Sequence, residues 1–248
     1  MPEHWLLIVA GAATAGFAQG LSGFGFSLVS LSFWAWALPP QQAAVLATAG
    51  GLCGQCLAAV TVRRGSHWSL LWPYLAGGLL GLPLGVLLLR LADPTGFRLF
   101  VGALLAVWCP VMLLSARLPR LRFGGRWADG VAGAAGGVMG PLGGFTGALP
   151  TLWCTLRGLD RDEQRSLIQN FNLVMLGVTT GVYVQQGLLP ASLLPQLGLV
   201  LVSLLLPALV GMRVYTGISA LAFRQVVMSL LTASGLALLA STLPRLLR

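Results

Sequence analysis

Apolar residues run along this chain in long stretches, and polar residues collect in the short connections between them. The stretches extend from Trp5 to Leu38, Ala43 to Val62, Trp68 to Leu89, Phe97 to Leu114, Trp127 to Leu156, Leu167 to Tyr183, Leu193 to Met212 and Leu221 to Leu243. Most match the roughly 20 apolar residues that a helix needs to cross a bilayer. Backbone N–H and C=O groups in lipid must be satisfied within their own segment, so the pattern predicts helices. The chain reads as an all-α polytopic membrane protein.

Two stretches are too long for one simple crossing. Trp5 to Leu38 is 34 residues, which as one helix would span ~51 Å against a hydrocarbon core of ~30 Å. Each long stretch contains a glycine-rich interruption: Gly20-Leu-Ser-Gly-Phe-Gly-Phe-Ser27 in the first and Pro141-Leu-Gly-Gly-Phe-Thr-Gly-Ala148 in the fifth. At an offset of 121 residues, Leu21, Gly23, Phe24, Leu28 and Leu31 match Leu142, Gly144, Phe145, Leu149 and Leu152. Glycine lets the chain bend or reverse at such places. Each long segment is therefore a broken, tilted helix or a helical hairpin.

Charge separates these two options. The formal net charge of +9 rests on arginine alone, and only 8% of residues are charged, against about 25% in soluble domains. If both long segments cross once, eight arginines fall on one face and seven on the other. If both turn back, one face holds Arg63, Arg64, Arg117, Arg120, Arg122, Arg126, Arg157, Arg161, Arg165, Arg213 and Arg224, and the other holds Arg90, Arg98, Arg245 and Arg248. The positive-inside rule favours the hairpins, with the richer face cytoplasmic and both termini outside. A hairpin plus three spans is an odd number of crossings. The second half, 123–248, is then inverted relative to the first, 1–122, and the two form one transport domain. Topology and lipid headgroups account for the arginines, so nucleic acid is not expected as a partner. The sequence leaves a homo-oligomer open. No basic leader precedes the first apolar run, so a cleavable signal peptide is not expected.

Helices broken at matching places in two halves are the sequence pointer to a carrier's midplane binding site. A helix that starts after a break offers free N–H groups and a positive dipole end to an anion. The candidate ligands at the first break are Gln19, Ser22, Gly23, Gly25 and Ser27; at the second they are Gly143, Gly144, Thr146 and Gly147. Gln169, Asn170 and Asn172 add amides in the sixth segment, where Gln169, Asn172 and Thr179 share one helical face. Thr48 occupies the position matching Asn170, and Gln55 follows it by seven residues. No Asp, Glu, Lys or His lies well inside a span, which leaves a neutral pocket suited to an anion rather than a cation. Cys53-Gly-Gln-Cys56 has redox-pair spacing, yet small residues packing helix on helix account for it. No metal or cofactor is called for. Gly20-Leu-Ser-Gly23 matches the short string of intramembrane serine proteases, but His4 and His67 are in no position to complete a dyad.

The duplicated arrangement, with Ala15-Gly-Phe-Ala-Gln-Gly-Leu-Ser-Gly-Phe-Gly and Gly136-Gly-Val-Met-Gly-Pro-Leu-Gly-Gly-Phe-Thr-Gly, resembles the sulfite exporter TauE/SafE family over nearly the whole chain. The resemblance implies a multi-pass carrier of the bacterial cytoplasmic membrane. Its substrates would be sulfur-containing anions such as sulfite, sulfonates and sulfoacetate. The chain departs from the family's first break, usually a glycine run followed by proline: Phe26 interrupts the run, and Val29 stands where the second half keeps Pro150. The alternative to a carrier is a non-transporting assembly factor or complex subunit, which would need an exposed polar or aromatic docking surface.

Overall fold

The computed structural model describes residues 3–22, 25–61, 68–114, 125–214 and 220–246. Gly23, the side chain of Ser22, the connection carrying Arg63 and Arg64, and the half boundary near Phe123 lie outside the described residues. Ten α-helices follow in order: α1 (Glu3–Ser22), α2 (Phe26–Trp34), α3 (Pro40–Thr61), α4 (Trp68–Leu91), α5 (Pro94–Leu113), α6 (Gly125–Met139), α7 (Ala148–Arg157), α8 (Arg161–Gln185), α9 (Leu194–Val214) and α10 (Ala220–Leu246). Among the described residues, six helices are long and apolar enough to cross a membrane: α3, α4, α5, α8, α9 and α10.

The two overlong segments are hairpins. In the first, α2 folds back along α1, and the Trp34 indole N–H donates to the Leu7 carbonyl at 3.1 Å. In the second, α7 folds back along α6, and the Trp153 indole donates to Asp129 Oδ1 at 2.8 Å. The returning arms are short, nine residues in α2 and ten in α7, so at ~1.5 Å per residue neither spans the hydrocarbon core. Positive φ at the breaks, 101° at Gly25 and 78° at Gly144, is available to glycine at no steric cost.

Small residues decide which helices meet. Helix α4 lies against α6, and α1 against α9. Gly77, Gly81 and Gly85 of α4 face the carbonyls of Gly130, Ala134 and Val138, while Gly16 and Gly20 of α1 face those of Leu204 and Ala208. A Cβ at any of these positions would run into the opposing backbone. Glycine at every fourth residue is how membrane helices approach closely where no hydrophobic force drives them together. Helix α5 pairs with α10, and α3 with α8. The outward faces are apolar, with Leu80, Leu84 and Leu87 exposed on α4 and Val202, Leu206 and Val210 exposed on α9. Such faces suit a lipid surrounding.

Candidate functional site

Two contrasting kinds of helix start occur among the described residues. Helices α5 and α8 begin at Asp93 and Asp160, whose carboxylates each accept two backbone N–H groups of the first turn at 2.8–3.0 Å. These are conventional N-caps that satisfy the free donors of a helix end. The returning arms differ: α2 starts at Gly25 and α7 at Gly147, and neither residue has a side chain to accept a bond. In α2, the first N–H to reach a carbonyl within its own helix is Val29, which donates to Gly25 at 3.1 Å. The donors of Ser27 and Leu28 precede it. In α7, Ala148 N–H is tied back to Phe145 O, and Pro150 has no N–H to offer.

The two bare starts border one small cavity of about 50 Å³, lined by Gln19, Gly25, Phe26, Ser27, Gly51, Gln55, Trp108, Gly144, Gly147, Thr151 and Asn172 among others. No charged side chain lines it among the described residues. Three polar side chains reach in over glycines. The Gln19 carboxamide fills the space a Cβ would take at Gly54, Ser27 Oγ does so at Gly144, and the Asn172 amide does so at Gly147. Asn172 Oδ1 accepts from Thr146 Oγ1 at 2.7 Å. That bond turns Asn172 Nδ2 away from Thr146, and Nδ2 has no partner among the described residues. Ser27 Oγ likewise has none. Ser27 and Asn172 are only 6% and 5% exposed. The site therefore offers neutral donors, enclosed by protein, with the positive ends of two helices beside them.

Of the residues the sequence suggested, Gln19, Gly25, Ser27, Gly144, Gly147 and Asn172 line this cavity. Thr146 stands one hydrogen bond behind it. Thr48 is fully buried beside Gly144, and its hydroxyl has no bond of standard geometry among the described residues. Gly143 faces Leu31 instead. Gln169 and Asn170 do not line the cavity, although Ile168 and Asn172 of the same helix do. A helix turns by about 100° per residue, so a face shared with Asn172 at the sequence level did not bring Gln169 to the same wall. Its Nε2 is buried and has no partner among the described residues. Sequence reasoning missed Gly51, Trp108 and Thr151 as lining residues. No local signal marks them, because helices distant along the chain bring them there. Phe26 does enter the wall, while its ring meets Trp34 edge-on with centroids 6.1 Å apart.

Asp129 also differs from its sequence reading. It sits in the second turn of α6, near a helix end as expected, but it is 1% exposed. Its carboxylate pairs with Arg157 of α7 at 2.6 Å and also accepts from Tyr74 Oη at 3.1 Å and from Trp153. One buried charge thus ties α4, α6 and α7 together, outside the cavity. Cys53 is half-buried and Cys56 exposed, and both are free thiols outside the cavity lining.

A family model described as "Sulfite exporter TauE/SafE" matches residues 7–238. No curated protein and no solved structure matches the chain.

Proposed function

This chain belongs to the sulfite exporter TauE/SafE family, and from that premise we propose that it is a secondary carrier exporting sulfite or a small organosulfonate across the bacterial cytoplasmic membrane. The family is one of membrane transporters rather than enzymes. The observation that carries the substrate site is the uncharged cavity where two helix starts with glycine N-caps meet the donors of Ser27 and Asn172, buried residues whose Oγ and Nδ2 have no partner among the described residues. An oxyanion there accepts hydrogen bonds from Ser27 Oγ, Asn172 Nδ2 and the first N–H groups of α2, with Thr146 orienting Asn172. The backbone around Gly144 and Gly147 sets the opposite wall. Thr48, beside Gly144, supports this wall from behind.

Alternating access follows from an inverted repeat of 1–122 and 123–248. The helix pairings support this reading. A twofold axis exchanging the halves turns the α1–α9 contact into the α6–α4 contact, and it maps α5–α10 and α3–α8 onto themselves. Each half then supplies one hairpin and three spans, and exchanging their conformations moves the opening from one face to the other.

Thermal denaturation of the detergent-purified protein in sulfite, sulfate, thiosulfate, taurine, sulfoacetate and carboxylates tests the substrate class. A ligand that binds only the folded state raises Tm by mass action. The expected result is a selective rise with one sulfur anion that disappears in Asn172→Ala. A flat response across the panel would remove the sulfur-anion assignment.

A further inference from the structure

Gln19 lies in the last turn of α1, and both ends of its carboxamide are engaged by backbone. Its Oε1 accepts the Phe26 N–H at 3.2 Å, and its Nε2 donates to the Gly51 carbonyl of α3 at 3.3 Å. One partner donates and the other accepts, so the orientation of the amide is fixed by its surroundings. Gln19 therefore does at α2 what Asp93 and Asp160 do at α5 and α8, but from the other side of a helix break. Both bonds are longer than the ~2.9–3.0 Å usual for N–H···O. An anion makes shorter bonds to the same kind of donor, roughly twice as strong.

We propose that Gln19 is an internal, displaceable cap. It holds the α2 N-terminus while the site is empty, and an arriving oxyanion takes its place on the Phe26 N–H. This rests on the anion-site reading above and changes the part Gln19 plays in it, from a ligand of the substrate to a competitor of it. A second feature points to a ligand at the same helix end, since Ser27 and Asn172 are buried residues of the same cavity wall whose Oγ and Nδ2 have no partner among the described residues. Displacement has a mechanical result. The same carboxamide bonds to Gly51 and packs on Gly54, so releasing Phe26 loosens the tie between the first break and α3. Substrate binding thereby frees the α1–α2 hairpin to shift against α3, which gives occupancy a way to bias conformation. Among the described residues the device occurs once. At the 121-residue offset, Gln19 corresponds to Gly140, and the second break takes its amide from Asn172 of α8 instead.

The test uses the full-length protein in detergent, with sulfite titrated against Tm at constant ionic strength. Gln19→Asn shortens the side chain by one methylene, so it no longer spans from α1 to Phe26. The expected result is a lower Tm without sulfite and a half-saturating sulfite concentration reduced roughly two- to tenfold, the equivalent of one net hydrogen bond. Gln19→Glu supplies a tethered carboxylate at the same N–H, and it is expected to fold and lose the sulfite response. A raised or unchanged half-saturation in Gln19→Asn would overturn the proposal and return Gln19 to the substrate's ligands. A Gln19→Glu protein that still responds as wild type would also overturn it. If neither wild type nor Gln19→Asn responds to sulfite at any concentration, the anion site itself is wrong and this inference falls with it.

Discussion

Residues at the two breaks serve the site by what they lack as much as by what they carry. Gly144 combines a left-handed φ of 78° with a missing Cβ whose place Ser27 Oγ occupies. Alanine there meets both obstacles, the backbone conformation and the hydroxyl. Gly144→Ala is expected to cost about 1–3 kcal/mol and to push Ser27 out of the cavity. A fall in Tm together with a weakened anion response is the outcome to look for. A fall in Tm with full anion response would separate Ser27 from the site. Half of this was legible from the chain. The glycine runs, their matching positions and the polar residues around them pointed to the breaks that border the cavity, and Gln19, Ser27 and Asn172, which line it, were among the residues named. The pairing of each polar side chain with a particular glycine was not legible, because Ser27 and Gly144 are brought together only by folding.

At the level of elements, the two returning arms are anchored differently. Helix α2 is held by a neutral indole bond to Leu7 O and by Arg98, which donates to the carbonyls of Ala35 and Trp36 at 2.9 and 2.8 Å. Helix α7 is held by a full ion pair, Arg157 to Asp129, reinforced by Trp153 and Tyr74. The partners are unequally shielded, with side chains 26% exposed for Arg157 and 2% for Asp129. Removing one partner of a buried pair costs roughly 3–5 kcal/mol because the other is left uncompensated. Arg157→Gln strands the more deeply buried charge, so it is expected to lower Tm more than Asp129→Asn, whose orphaned guanidinium still reaches water. Thermal melts of the two variants check the order, and equal losses would mean that burial does not set the cost here. The sequence placed Asp129 near a helix end, where carboxylates are usually solvated. Its partner lies 28 residues away, and only the return of α7 along α6 makes it a buried pair.

For the whole molecule, membrane orientation is the expectation with the clearest readout. Two hairpins and six spans would place both chain ends on the same face, and the arginine count assigns that face to the outside of the cytoplasm as an expectation. Reporters fused at each end, one active only outside and one only inside, check this. Both ends are expected to report as external, and a cytoplasmic C-terminus would break the equivalence of the two halves on which alternating access depends. Helix pairing at this scale follows the small residues, since Gly77, Gly81 and Gly85 let α4 lie directly on the backbone of α6.

By itself the sequence determined the class, the helical spans and the location of the breaks. Hydropathy, glycine position and arginine placement are properties of the chain that act locally, through the cost of leaving backbone or charge unsatisfied in lipid. Tertiary structure alone decided which donors face one cavity, which glycines yield space to which polar side chains, and that Asp129 is buried against Arg157. Those facts depend on how α3, α5 and α8 pack around the breaks. Packing is set by shape complementarity between segments far apart in sequence, so no local window of the chain contains it.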